Sequence, residues 1–433
     1  MTVPDTVTVC ALLLVVLAVV LRQVEGTWLT PGALFAAYWA TWLGGTALFG
    51  RGYRTPAVGP AFIVLAVVAV AAGARAASPA SADRSRRVRV HQPLVPRGMA
   101  VAGGAAAVAA TALMLADGGY SLGSVLSLQG LLATGNQLSV DRYANNGVPA
   151  LVPWLLSGCY AGALVGPFLL AGDRRHGWGR QGLLVCLPLL GALSFSTVTT
   201  ARLPLLLTAC FTAISVVMAL SLREGRVFRP QARHAAAAVL AVAGVASAFA
   251  LIAFVRIGTA DSADRPVIAD KLQGYAFGGV PAFSQWLEQP DPPWAGRPRL
   301  TYGQATLGAP ARALGYDASL SQAYTDPRQV TVQPGDTTNI FTAFRSLVGD
   351  FGVAGALLVL AGLGAGLARL QRRVLRGGLA SFPLVAAGYG YLLNSNSQSI
   401  FWFTNVLVAL VLAGGLLAVA AARPAGRPRS ILR

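Results

Sequence analysis

Four arginines stand at the edges of apolar stretches long enough to cross a membrane: Arg142, Arg202, Arg256 and Arg345. A guanidinium keeps its proton at any physiological pH and presents a planar fork of donors that fits two phosphate oxygens at once. Charge at membrane depth costs roughly 2.5 to 3.5 kcal/mol on insertion scales, so four such groups at comparable depth call for a reason. One is the binding of a lipid pyrophosphate; the other is that each side chain snorkels to lipid headgroups. The carboxylates that could take a proton near them are Asp141, Asp336 and Asp350, with a looser set of Asp261, Asp264, Asp270, Glu288, Asp291, Asp317 and Asp326. Asp350 lies five residues after Arg345 at the entrance of an apolar stretch. Partial burial there would raise its pKa toward that of a useful base; equally, it can cap the first turn of a helix or pair with an arginine.

The elements that must carry these groups are membrane spans. Of 433 residues, 55% are hydrophobic and 12% charged, against roughly 25% charged in soluble domains. This excludes a soluble enzyme, a disulfide scaffold and a disordered tail. Apolar runs of roughly 20 residues predict an all-α polytopic integral membrane protein with eleven spans, near 6–21, 28–49, 57–74, 98–116, 148–171, 181–198, 203–222, 235–255, 346–368, 378–393 and 400–422.

Alternate loops then divide the charge. One set holds 22 of the 34 basic residues, from Arg22 through the arginines of 75–97, 174–180, 223–233 and 369–376 to the tail, against only Glu25, Asp83, Asp173 and Glu224. The other set holds 12 basic and 12 acidic residues, so the whole net charge of +18 lies on the first side. That side is cytoplasmic by the positive-inside rule, where anionic lipid attracts it, and no nucleic acid need be invoked. The N-terminus is then outside and the C-terminus inside. Residues 1–9 carry Asp5 and no Lys or Arg, so the first run lacks the basic start of a cleaved signal peptide and is expected to persist as a helix. Cys10, Cys159, Cys186 and Cys210 all fall in spans, and His91, His176 and His234 all fall in cytoplasmic loops. The outer face thus has no histidine, no cysteine and no DxD pair for a metal.

Three regions follow: an eight-span bundle over 1–255, a long outer loop over 256–345, and a three-span bundle with a basic tail over 346–433. Within the first, 117–147 places leucines at mostly helical spacing and is expected to form an interfacial helix. The long loop, rich in Pro, Gly, Tyr and Gln, is expected to be irregular. Its aromatic residues, Tyr275, Phe277, Phe283, Trp286, Trp294, Tyr302, Tyr316 and Tyr324 among them, suit either sugar rings or anchorage at the membrane interface. Gly158, Gly162 and Gly166, and again Gly362 and Gly366, recur every four residues, the spacing that lets helices approach closely.

The run Thr338-Asn339-Ile340-Phe341-Thr342, followed by Arg345 and Asp350-Phe351-Gly352, resembles the end of the long outer loop of bacterial oligosaccharide repeat-unit polymerases, the Wzy-type O-antigen polymerases. Tyr275 with Gly278-Gly279-Val280-Pro281-Ala282-Phe283, Tyr302-Gly303, the Arg142-Tyr143 step and Arg202 are similar to that family's pattern in the same order, so the resemblance spans about 120–403. It implies a GT-C-like membrane glycosyltransferase, free of metal and cofactor, in the bacterial cytoplasmic membrane with its site facing outward. The substrates would be undecaprenyl-pyrophosphate-linked oligosaccharides, and a flippase and a chain-length regulator would be the partner proteins. Arg202 and Arg345 would clamp pyrophosphate, with Asp350 as proton acceptor or as the group that orients Arg345; Arg142, Arg256, Tyr275, Asn339 and Asp336 would bind substrate. An O-antigen ligase-like transferase would be expected to carry a histidine in its long outer loop, and other polyprenyl-phosphate-sugar transferases a carboxylate pair in the first outer loop, where this chain has Arg51 and Arg54. A transporter would be expected to show charges within spans or internal repeats.

Overall fold

A computed structural model describes residues 3–50, 52–77, 93–143, 148–171, 178–258, 265–288, 301–316, 330–333, 336–338 and 341–422. The first four helices are α1 (Val3–Glu25), α2 (Pro31–Phe49), α3 (Val58–Ala76) and α4 (Leu94–Asp117). A 3-10 turn at Leu122–Val125 leads into α5 (Leu128–Tyr143), which packs on α7 (Trp178–Thr199) and α9 (Ala232–Ile257). Between them come α6 (Leu151–Val165), continued as a 3-10 helix to Ala171, and α8 (Arg202–Glu224). Both α8 and α9 stop at a left-handed glycine, Gly225 and Gly258, the usual device for ending a helix without a Cβ penalty.

The segment after α9 is more regular than its composition suggests. It contains α10 (Arg265–Phe277), α11 (Gly279–Glu288), α12 (Gly308–Ala313) and an antiparallel ribbon of β1 (Val330–Gln333) with β2 (Asp336–Thr338). Its prolines do not prevent this, because Pro266 and Pro281 fall in the first turns of α10 and α11, where no backbone N–H is needed. Helix α11 buries one residue after another against the start of α3, with Phe283 edge-on to Phe62 at 5.6 Å. The last helices are α13 (Ala343–Leu375), α14 (Phe382–Leu393) and α15 (Thr404–Ala421).

Among the described residues nine helices are long and apolar enough to cross a membrane, so the chain is a multi-pass helical membrane protein. The two remaining expected spans coincide with α2, whose Tyr38, Trp39, Trp42 and glycines dilute its apolar character, and with the short α14. At 33 residues, α13 would be roughly 50 Å long if straight. It is broken at Gly352 (φ 68°, ψ 176°), a backbone region essentially reserved for glycine. Arg345 and Asp350 therefore lie in a separate short helix ahead of the apolar rod. They do not merely precede it.

Contacts between connecting segments sort into two ends. At one, Arg54 meets Glu288, Asn136 meets the Arg256 carbonyl, Ala343 N donates to the Ser395 carbonyl, and Ser399 Oγ donates to the Thr306 carbonyl. At the other, Thr27 donates to the Phe228 carbonyl, Arg372 to that of Ala77 and Tyr389 to that of Leu29. This is the alternation expected of consecutive spans. Helix α9 is unusual: residues 236–244 are exposed on every face, and only Ile252, Ala253 and Val255 near its far end are buried.

Close packing uses some of the expected glycines. A Cβ at Gly162 would lie 2.7 Å from the Met99 carbonyl oxygen, and Gly158 and Gly166 also face α4. Gly362 and Gly366, however, face open space; Gly364, between them, meets the Val70 carbonyl, and Gly73 meets that of Ala361. The α3–α13 seam is thus built on Gly73 and Gly364. Gly364→Val is expected to lower stability by about 2 kcal/mol through overpacking, whereas Gly362→Val, two residues away, is expected to be nearly silent; thermal unfolding in detergent micelles compares them.

Candidate functional site

The junction of α7 and α8 sets the first functional group. Thr200 is buried and takes a left-handed conformation (φ 53°), which costs a β-branched residue about 1–3 kcal/mol. That strain turns the chain sharply and makes Arg202 the first residue of α8. The Arg202 guanidinium lies 4.3 Å from the centre of the Tyr275 ring. Arg256, in the last turn of α9, reaches the Tyr275 hydroxyl at 3.5 Å, and its own carbonyl accepts from Asn136 Nδ2 at 2.7 Å. Three helices thus deliver two cations to one half-exposed tyrosine.

Arg345 is buried, 8% exposed, in an aromatic sleeve. Its guanidinium carbon stands 3.9 Å from the centre of the Phe341 ring and 5.6 Å from that of Trp286. Cation–π contact positions the charge. The neighbouring Phe344 stacks on Trp39 at 5.3 Å and meets Phe35, Phe62 and Phe283, so the sleeve is continuous with the core of α2, α3 and α11.

Asp350 has no exposed surface. One carboxylate oxygen accepts from Thr301 Oγ1 and from Ala305 N at 3.0 Å, and the other from Thr306 N at 2.7 Å. Its backbone carbonyl accepts from Tyr302 N at 3.2 Å. Tyr302 (φ 44°) and Gly303 (φ 95°) are consecutive left-handed residues, and they curl the chain so that its N–H groups converge on the carboxylate, an anion-binding concavity of the kind called a nest. The Tyr302-Gly303 pair noted in the sequence serves this purpose. Both of its oxygens are occupied and out of contact with the surface, so in this geometry Asp350 anchors the 301–306 turn.

Around these groups lies a polar shell that the span pattern did not reveal. Asn394, Ser395 and Ser399 are buried in the turn after α14. Ser395 Oγ accepts from Trp39 Nε1 at 3.1 Å, and Asn396 Oδ1 from the Tyr38 hydroxyl at 2.5 Å. Nearby, the hydroxyls of Thr306, Thr342 and Tyr391 and the side-chain oxygen of Asn394 are buried with no hydrogen-bond partner among the described residues. Interiors rarely leave such groups unanswered, so this shell suits water or a hydroxyl-rich ligand. The signal was the uncharged polar run Asn394-Ser395-Asn396-Ser397-Gln398-Ser399 between two apolar stretches.

Of the remaining candidates, Arg142 is in α5 with its side chain outside the described residues, Asp336 opens β2, which packs against α10, and Asn339 lies outside the described residues. His234 is at the opposite end, where its Nδ1 accepts from Gln231 N in the cap of α9. Among the described residues no three His, Cys, Asp or Glu side chains converge as metal ligands would. Comparison of the chain with models of protein families, with characterised proteins and with solved structures gives no match.

The nest makes a direct prediction. Asp350→Asn places an amide donor against backbone N–H groups and is expected to cost about 1–3 kcal/mol, with faster hydrogen exchange in 301–307. Thr301→Val, which removes one of three donors, is expected to give a smaller change in the same segment. Unaltered exchange in both would remove the anchoring role.

Proposed function

We propose that the chain is a membrane glycosyltransferase that joins undecaprenyl-pyrophosphate-linked oligosaccharide repeat units into a polysaccharide on the outer face of the bacterial cytoplasmic membrane. The observation that carries this reading is the convergence of Arg202 and Arg256 on Tyr275, at the same end of the bundle as the buried Arg345 and the hydroxyl-lined polar shell. In this reading eleven spans cross the membrane, the arginine-poor end is outside, and 256–345 is the long outer loop.

The sugar hydroxyl of the incoming lipid-linked unit attacks the anomeric carbon of the growing chain. The new glycosidic C–O bond forms as the bond to pyrophosphate breaks, and the diphosphate leaves with the electron pair. Preorganised cations aimed at that developing charge lower the barrier; Arg202 and Arg256 hold the diphosphate, and Arg345 contributes from its aromatic sleeve. The hydroxyl proton passes to a carboxylate of this end. We assign it to Asp336, on the strand that packs against the helix of Tyr275, since Asp350 is engaged in holding 301–306. The polar shell at Thr306, Thr342, Tyr391 and Asn394 answers sugar hydroxyls.

The deciding experiment is analysis of lipid-linked glycans from cells lacking the protein: single repeat units should accumulate and long chains disappear, and unchanged chain length would overturn the reading. Arg202→Lys and Arg345→Lys keep the charge but lose the planar fork, and each is expected to slow chain extension about a hundredfold; near-normal extension in both would mean that the arginines only snorkel. Tyr275→Phe keeps the ring under Arg202 and loses the contact to Arg256, so a change of only a few-fold is expected. Orientation is checked separately, by single cysteines placed at Pro292 and Arg87 in a background lacking the four native ones, which should label from opposite sides.

A further inference from the structure

The end of the bundle opposite the candidate site carries a second constellation of arginines. Arg369, Arg372, Arg373 and Arg376 line an open notch of about 340 Å³ at the end of α13, with Arg369, Arg373 and Arg376 exposed. Their spacing of i, i+3, i+4 and i+7 puts all four on one face of the last two helical turns. Arg372 is fixed by donating to the Ala77 carbonyl just past α3, and Arg75 stands in the last turn of that helix.

Two ordinary reasons for arginines at this place fall short. Cations do offset the negative end of a helix macrodipole, but one or two suffice. Arginines that only snorkel diverge toward separate headgroups, whereas these four share one notch. Their arrangement also creates like-charge pairs at i,i+3 and i,i+4 spacing, each unfavourable on an isolated helix. An anion in the notch turns that cost into attraction, and the guanidinium fork matches phosphate oxygens. We propose that this notch is a binding site for a phosphate group, separate from the candidate active site and independent of the function assigned to it. The phosphate has two sources: a phospholipid headgroup of the leaflet at that end, or a soluble diphosphate.

The test uses the purified full chain and compares its thermal midpoint in neutral micelles, in micelles with added inorganic pyrophosphate, and in phosphatidylcholine vesicles with and without phosphatidic acid. Ligand bound only by the folded state raises the midpoint. Stabilisation by phosphatidic acid identifies the lipid source, and stabilisation by pyrophosphate in micelles the soluble one. In either case, replacing Arg369, Arg372, Arg373 and Arg376 together by Gln should weaken the apparent affinity about tenfold or more. Replacing Arg22, Arg97, Arg226 and Arg229, which are exposed on that side and do not line the notch, by Gln removes the same charge and should leave affinity unchanged. No stabilisation by either probe, or equal loss in both quadruple variants, would overturn the site in favour of diffuse surface charge. If the first quadruple variant does not fold, Arg369→Gln with Arg373→Gln decides, since both side chains are exposed and neither makes the bond to Ala77: the double variant must weaken binding, and unchanged affinity rejects the proposal.

Discussion

A carboxylate sealed from solvent has to be answered by donors, because an unpaired buried charge costs several kcal/mol. Asp350 imposes that condition on its surroundings. To meet it, 301–306 folds into a nest, with Tyr302 and Gly303 held left-handed. The nest in turn presents the Thr306 carbonyl to Ser399, which binds the turn between α14 and α15 to the long segment. That turn receives Ala343 N at the head of the short helix that carries Arg345 and Asp350, so the loop, the last two helices and the candidate site are closed into one hydrogen-bonded circuit.

Backbone strain falls at this circuit and at the α7–α8 junction. Thr200 and Tyr302 are the non-glycine residues with positive φ among those described. One stands two residues before Arg202, the other beside the residue that bonds Asp350. Strained conformations persist only where the surroundings over-determine them. Here the surroundings are the packed helix ends themselves, and the product is the fixed placement of charged groups at the edge of an apolar bundle.

The membrane-spanning character and the alternation of ends were legible because hydrocarbon length and the backbone's need for internal hydrogen bonds leave few solutions. The gathering of Arg202 and Arg256 was foreshadowed by their places at span ends, although their meeting at Tyr275, from the long loop, depends on tertiary packing. Three things were hidden. Helices α10 and α11 are obscured by prolines that turn out to occupy first-turn positions. The break at Gly352 splits what hydropathy presents as one stretch, because a single backbone conformation leaves no trace in apolar content. The role of Asp350 depends on donors 44 to 49 residues away in the chain, and no local spacing encodes such a contact.

Helix α9 brings Arg256 to Tyr275, yet every residue along 236–244 is exposed, and its buried residues lie near that far end. Most membrane helices have their inclination set by the helices around them. For a helix whose middle is exposed, the inclination also depends on the match between its apolar length and the thickness of the surrounding bilayer. A thinner bilayer leans α9 over, a thicker one draws it upright, and its buried end is where Arg256 meets the ring. Lipid chain length therefore becomes a variable of the site, acting through geometry on a residue that no lipid needs to touch.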